Sequence, residues 1–399
     1  YWLGSSSSFL TRLLRSSDET CLPIPCAGVR ANPDPLGERR RIVSDSYRNA
    51  LDARLRHVLA LHFDPHGGSP YWIERAKALG FDPRREVTNL TELSRLGRFD
   101  LAVLSARPIE DFVPRCLLAE SRSQYILAET GGTSGTPSSA IHRSDEFEAA
   151  FVMPFVRAAQ RVRFPRGLNW LFIGPSGPHI IARAARACAR AMDSLEPFTL
   201  DFDPRWAKKL PDGSFGRKRY TEHILAQAER ILRTQKIGVL FGTPPVLAAL
   251  ASHVDAVHRE RIQAIHFGGM VVTAELRSKL AREFPHAILL SGYGNTLFGV
   301  APELAYEPET GVSYYAHGTR LVYQVVEPES LAVVPYGSRG RVLAHRLDET
   351  QFLPNVIERD TATRVPPVAS AVLDGFVGDG LGDPQPTQDA VMQETLGLY

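Results

Sequence analysis

Five short apolar runs between residues 125 and 291 constrain this chain most: Tyr125–Ala128, Asn169–Ile173, Gly238–Phe241, Ala264–Phe267 and Ala287–Ser291. The intervals hold segments of helical periodicity at 145–160, 179–193, 220–234, 244–253 and 274–283. Thr243-Pro244 and Thr273 supply start signals for the last two, Thr273 as a side-chain cap. Strands that alternate with helices predict an open, largely parallel α/β sheet. Such a sheet gathers ligands at the carboxyl ends of its strands.

The flanks differ in texture. Residues 1–40 are rich in Ser, Pro and Arg without periodicity and read as an irregular leader. Residues 41–120 read as a helical segment: apolar residues recur at helical spacing from Ile42 to Phe63, Ser69-Pro70 opens a helix that stops at Gly80, and another begins near Thr88. The core spans 121–300. From 301 to 375 the runs Arg320–Val326, Ala332–Val334 and Arg341–His345, broken by Gly and Pro, predict a small β-rich subdomain. Residues 376–399 form a Gly-, Asp- and Pro-rich tail with a turn at 387–396.

Composition narrows the function. With 44% hydrophobic residues, the chain has apolar content enough for a large soluble core. A net charge of +2 gives no footing for nucleic acid or an anionic membrane, and no long apolar run predicts a transmembrane helix. The basic cluster Gly216-Arg-Lys-Arg-Tyr220 reads as a solvated loop. Cys21, Cys26, Cys116 and Cys188 show neither zinc-site spacing nor a disulfide framework, so the expected compartment is the cytoplasm.

The most specific motif is Glu129-Thr-Gly-Gly-Thr-Ser-Gly-Thr-Pro-Ser-Ser139, directly after a strand. Gly131, Gly132 and Gly135 allow the backbone N–H groups to turn inward, and Thr130, Thr133, Ser134 and Thr136 add hydroxyls. Together these can wrap polyphosphate oxygens. The Gly-Lys-Ser/Thr ending of a Walker loop is absent. A flexible Ser/Gly loop would read alike, but the strand placement and the unbroken run to Pro137 favour phosphate binding.

This loop resembles the phosphate-binding signature of the acyl-adenylate-forming superfamily, in its phenylacetate–coenzyme A ligase-like branch. The resemblance covers about residues 45–375 and includes further motifs in order. Ser69-Pro-Tyr-Trp-Ile-Glu-Arg-Ala-Lys-Ala-Leu-Gly-Phe-Asp-Pro83 resembles the branch's helical preamble. Ile265-His-Phe-Gly-Gly-Met270 resembles its strand and glycine pair, and Ser291-Gly-Tyr-Gly-Asn-Thr296 its adenine-binding motif. Gly337-Ser-Arg-Gly-Arg-Val342 resembles its hairpin before the ribose site, and Leu353-Pro-Asn-Val-Ile-Glu-Arg-Asp360 its ribose-binding segment. Asp203-Pro-Arg-Trp206 and Phe241-Gly-Thr-Pro-Pro245 are similar to truncated members associated with phenazine antibiotic biosynthesis, the griseoluteic-acid-activating proteins.

The resemblance implies an adenylate-forming N-terminal domain, ATP and Mg2+ as cofactors, and activation of an aromatic acid as an acyl-adenylate in a secondary-metabolite pathway. Thr130–Thr136 would hold the β- and γ-phosphates, and Thr296 the α-phosphate. Tyr293 would pack on adenine within Gly292, Gly294 and Asn295, with Gly268, Gly269 and Gly292 leaving room. Asp360 would accept both ribose hydroxyls, although a turn-forming Asp before Thr361 reads alike. Phe172, Gly174, Ser176 and His179 would line the acid pocket; Thr243 and Phe267 are either its walls or core. His179 is either a carboxylate donor or a structural residue, and His266 reads as structural.

Three departures stand out. The family's magnesium-binding Glu position is Leu297, which cannot ligate a hard cation, leaving the ion to phosphates and water or to Glu303. The loop lysine position is Thr136. About twenty residues follow the hinge-like Leu373-Asp-Gly-Phe-Val-Gly378 and no lysine follows Lys279, so the expectation is a domain without the C-terminal lid and its lysine. The acyl acceptor would then be a thiol, an amine or a downstream enzyme outside this chain, and a homodimer is allowed. A complete acid–coenzyme A ligase and a silent adenylate-binding scaffold are the alternatives.

Overall fold

The structure, a computed structural model, describes residues 35–120, 122–131, 136–211 and 213–387. Contacts divide the chain into a unit of residues 1–41 and a body of residues 42–399. A helix over Pro35–His62 leads into it.

Among the described residues, thirteen strands form two sheets. Strands β1 (Tyr125–Glu129) and β2 (Ser139–Arg143) make an antiparallel hairpin. The remaining strands are β3 (Asn169–Gly174), β4 (Phe198–Asp201), β5 (Ile237–Gly242), β6 (Ala264–Gly268), β7 (Ile288–Asn295) and β8 (Gly299–Glu307). They continue as β9 (Gly311–Tyr315), β10 (Leu321–Val326), β11 (Arg339–Leu347), β12 (Phe352–Val365) and β13 (Gly380–Pro386). All eleven share one sheet in the order β10-β11-β12-β13-β9-β8-β7-β6-β5-β3-β4.

Pairings from β4 to β7 are parallel, as the helix–strand alternation predicts; four of the five expected strands lie here as β3, β5, β6 and β7, β4 joins them unforeseen, and the first expected strand, Tyr125–Ala128, instead pairs antiparallel with β2 outside this sheet. Pairings from β7 to β10 are antiparallel. Strand β8 joins the halves: Gly299–Pro302 pairs with β7, and Glu303–Glu307 pairs with β9. The β-rich segment thus continues the parallel sheet by hydrogen bonds. Of its three expected runs, Ala332–Val334 forms only an isolated bridge, Val326 to Val333.

Local chemistry explains the helices. Thr273 accepts the Leu276 N–H as expected, whereas Thr243 makes no side-chain cap bond and Pro244 alone marks that start. The helix expected from 220 begins at Phe215, because the Ser214 hydroxyl accepts the Arg217 N–H. The cluster Gly216–Tyr220 therefore belongs to a helix and not to a loop. The helix expected over 145–160 carries a π-helical insert at Glu148–Val152, next to Pro154. Pro154 has no N–H for the Ala150 carbonyl, so the regular ladder cannot continue there. Gly299 packs on that carbonyl: a Cβ on it would lie 2.5 Å from Ala150 O, and its φ is +99°.

The helical preamble docks on the antiparallel half. Trp72 Nε1 donates to Phe352 O at 3.2 Å, and Asn355 Nδ2 donates to Leu93 O at 2.6 Å. The segment near Thr88 is a 3-10 helix, Leu90–Leu96, with Asn89 as its cap. No helix among the described residues is long and apolar enough to cross a membrane.

Candidate functional site

The carboxyl edge of the parallel strands brings together most of the expected residues. Gly174 ends β3, Thr243 follows β5, Gly268 ends β6 with Gly269 next, and Tyr293 to Asn295 end β7 with Thr296 next. Gly132, Thr133, Ser134 and Gly135 lie outside the described residues, as do Cys21, Cys26 and residues 388–396 of the tail turn.

The foot of the loop is well defined. Thr130 N donates to Ser138 O at 3.0 Å, and Ser138 N donates to Thr130 Oγ1 at 2.9 Å. The Thr130 hydroxyl oxygen thus closes the hairpin while its proton remains available to donate. Thr296 Oγ1 donates to Glu129 O at 3.3 Å, so the threonine after β7 stands against the loop's first residue. A Cβ on Gly131 would meet His179 Cε1 at 3.8 Å. Thr136 is exposed.

Tyr293 and Asp360 meet directly, the phenol donating to Oδ2 at 2.7 Å. Burial first, then the Asp360 charge, holds the Tyr293 hydroxyl well above its ordinary pKa, so it stays protonated and donating. Its ring also contacts Tyr314 and Tyr323, each at 5.8 Å. Beside this pair, Asn295 Nδ2 donates to Glu358 Oε1 at 3.0 Å. Burial, reinforced by Asp360, lifts the Glu358 pKa to about 7. Asn295 Oδ1 also accepts the Leu297 N–H at 2.9 Å and the Phe298 N–H at 3.2 Å, shaping the turn that carries Thr296.

The glycines expected to leave room for adenine have another physical cause. A Cβ on Gly268 would lie 2.5 Å from Gly292 O, one on Gly292 2.6 Å from Val300 Cγ2, and one on Gly294 1.9 Å from Gly299 O. Strand packing alone requires all three. Gly269 needs its positive φ of +79°, and Thr243 Cγ2 lies 4.0 Å from where its Cβ would be.

The residues expected to line an acid pocket are divided between two faces of the sheet. Phe172 pairs in register with Phe241, which pairs with His266; Ile173 and Gly242 pair on to Phe267. Adjacent strand positions face opposite sides of a sheet. Phe172 and Phe267 are accordingly buried in separate clusters and cannot line one pocket. His266 Nδ1 sits 2.8 Å from Leu290 O among Phe155 and Phe241, a structural place. Ser176 and His179 instead line a cleft of about 660 Å3 together with Ile126, Phe147 and the helix arginines Arg183, Arg186 and Arg190, and with the acidic Asp145 and Glu148. His179 Nε2 is buried without a partner among the described residues, and burial, aided by Arg205, lowers its pKa.

The residues do not fit a protein-held magnesium. Leu297 is 1% exposed in the apolar core. Glu303 is engaged by Arg277 Nη1 at 2.7 Å, Ser291 N at 3.0 Å and Ser291 Oγ at 2.6 Å. No group of three His, Cys, Asp or Glu among the described residues could hold a metal.

Sequence reasoning quoted Glu358 without a role and passed over His142, Arg320, Arg346 and Asp348, all buried behind the Thr296 turn. The readable signal was the charged run His345-Arg-Leu-Asp348 at the end of an apolar strand.

Solved structures of 2-hydroxyisobutyryl-CoA ligase share this architecture. One in complex with 2-HIB-AMP and CoA in the thioesterification state matches at a TM-score of 0.63 and 16% identity, over 92% of this chain and 72% of that one. Another, in the postadenylation state with R3-HIB-AMP, matches at a TM-score of 0.64 and 15% identity, over 94% and 73%. The chain has the adenylate-forming enzyme fold. A third, an open conformation in complex with 2-HIB-AMP and CoA, matches at a TM-score of 0.63 and 15% identity, over 92% of this chain and 79% of that one. No protein-family profile and no curated protein matches the sequence.

Proposed function

We propose that this protein binds ATP and activates a carboxylic acid as an acyl-adenylate. One observation carries the reading: the Thr296 hydroxyl stands on Glu129 O at 3.3 Å, at the foot of the Gly/Thr loop, while Tyr293 and Asp360 on the same edge are paired at 2.7 Å. Loop amides and hydroxyls would hold the outer phosphates, Thr296 the α-phosphate, and Asp360 the ribose. The fold is one whose solved examples bind acyl-AMP, as the ligase complexes state.

In the reaction, an acid carboxylate oxygen attacks the α-phosphorus as the α–β phosphoanhydride P–O bond breaks. The electron pair leaves with pyrophosphate. Residues near Thr296 and Thr130 would stabilise the charge that develops on phosphorus. Magnesium, where the nucleotide carries it, would be held by phosphate oxygens and water, and no step is assigned to it.

The acid would enter by the cleft beside Ser176 and His179, lined by the apolar Ile126 and Phe147 and by three arginines, Arg183, Arg186 and Arg190, that outnumber its two carboxylates, Asp145 and Glu148. That combination suits an aromatic acid with a free carboxylate. The proposed setting is secondary metabolism, in the manner of phenazine-associated proteins, with a thiol or amine acceptor. A silent nucleotide-binding protein is the second reading, favoured by the buried Leu297 at the expected carboxylate position.

Pyrophosphate release is the test. Release that depends on both ATP and one of a panel of aromatic and aliphatic acids supports adenylation, and thioester formation with added coenzyme A extends it to a ligase. ATP binding without release under any acid establishes the silent reading, and no ATP binding overturns both.

A further inference from the structure

The turn after β7 presents three consecutive carbonyls inward, and a different buried side chain meets each. His142 Nε2 lies 2.9 Å from Thr296 O, Arg346 Nη1 2.9 Å from Leu297 O, and Arg320 Nη1 2.6 Å from Phe298 O. These groups come from three places: His142 from β2, Arg320 from just before β10, and Arg346 from β11. Both guanidiniums close on one carboxylate. Asp348 receives Arg320 Nε at 3.0 Å on one oxygen and Arg346 Nε at 2.7 Å on the other.

Arg346 also reaches the hairpin that carries the Gly/Thr loop. Its Nη2 donates to Ile141 O at 2.6 Å and to His142 Nδ1 at 3.1 Å. Gln351 Oε1 accepts from Arg346 Nη1 at 2.8 Å and from Ile141 N at 3.2 Å. A guanidinium can only donate, so His142 Nδ1 accepts and its N–H sits on Nε2, aimed at Thr296 O. The donor chain therefore runs from Arg346 through His142 to the residue whose hydroxyl closes on Glu129 O.

Arg346 and Asp348 are wholly buried. Such a pair adds little stability over well-packed apolar residues, because desolvation offsets the attraction. What it does add is fixed geometry. Here the geometry it fixes is the distance between the loop hairpin and the Thr296 turn, the two elements that would share the phosphates.

We propose that His142 and Arg346, anchored by Asp348, are positioning residues that place the Thr296 hydroxyl against the foot of the nucleotide loop. The inference rests on the ATP-binding reading above. Neither residue touches the nucleotide; both act through Thr296.

The experiment is a double-mutant cycle on the full chain, read as the ATP dissociation constant by calorimetry, with thermal melts recorded for every variant. His142→Phe is expected to weaken ATP binding about tenfold when Thr296 is present and less than about twofold in a Thr296→Val background. His142→Gln, which keeps an N–H near the Nε2 position, restores most of the affinity. Equal losses in both backgrounds overturn the inference, since a merely structural histidine weakens binding with or without Thr296. ATP binding by the unaltered chain with such additive losses leaves the functional reading standing. Absence of ATP binding overturns both. Should His142→Phe not fold, Gln351→Leu, which loosens the same Arg346–Ile141 link, runs the same cycle with the same two outcomes.

Discussion

Replacing Glu358 by glutamine tests the electrostatics of the candidate site while leaving its backbone alone. The Glu358 carboxyl is partly buried beside Asn295, and burial followed by Asp360 repulsion raises its pKa from 4.5 to about 7, against smaller opposing effects of Asn295, Arg359 and Arg341. A carboxyl with a folded pKa above its unfolded one binds more protons in the native state. The protein must then lose stability as pH rises from about 4.5, with the loss complete above about 7. At about 1.4 kcal/mol for each tenfold change in proton affinity, the full rise corresponds to about 3 kcal/mol; partial solvent access reduces the expected effect to about 1–2 kcal/mol. Glutamine keeps an acceptor for the Asn295 amide and removes the charge. Urea melts of both proteins at several pH values between 4.5 and 8.5 provide the assay. The curves should coincide at the acid end, diverge between about pH 4.5 and 7 and stay apart above that, with Glu358→Gln the more stable. ATP affinity at pH 8 should rise a few-fold as well, because one of two facing carboxylates is gone. A gap that does not change with pH, or a glutamine variant less stable at pH 8, refutes the reasoning.

Two further perturbations address the strand ends. Gly268→Ala forces a methyl to 2.5 Å from the Gly292 carbonyl and should cost about 2 kcal/mol or more, visible as a lower urea midpoint; an unchanged midpoint would show that β6 and β7 can slide apart there. Leu297→Glu places a carboxylate where the native side chain is 1% exposed, so a loss of about 3 kcal/mol is expected, with magnesium unable to restore the melting temperature. Recovery by magnesium would instead reveal a latent cation site.

The parallel half of the sheet was legible because β3, β5 and β6 are almost wholly buried and each reads as an unbroken apolar run followed by a helix. Strands β12 and β13 were not. Strand β13, Gly380–Pro386, contains two glycines and two prolines and looks like coil, yet it pairs with β12 on one side and β9 on the other. Its glycines answer to a neighbour remote in sequence: a Cβ on Gly380 would lie 2.4 Å from Tyr315 Cε1. Propensity cannot register such a demand. Register was equally hidden. Phe172 and Phe267 looked like partners in one pocket, but the pairing of β3 with β5 and of β5 with β6 sets them on opposite faces.

The same distinction governs how much weight each motif residue bears in the functional argument. Gly268, Gly292 and Gly294 would be required in this sheet whether or not a nucleotide ever bound, because atoms of the protein itself occupy the space a side chain would need. Glycine spacing therefore reports the fold more than the chemistry. The polar pairs stand differently. No backbone ladder needs the Tyr293 phenol on Asp360, the Thr296 hydroxyl on Glu129, or the Asn295 amide on Glu358. Three polar side chains at or just past the end of one strand, each set on an oxygen of another segment, make up the rim proposed to face the ligand, at modest stability gain, since a typical internal hydrogen bond contributes only about 1 kcal/mol. Variation at these pairs should move ligand affinity more than stability, and variation at the glycines should move stability first.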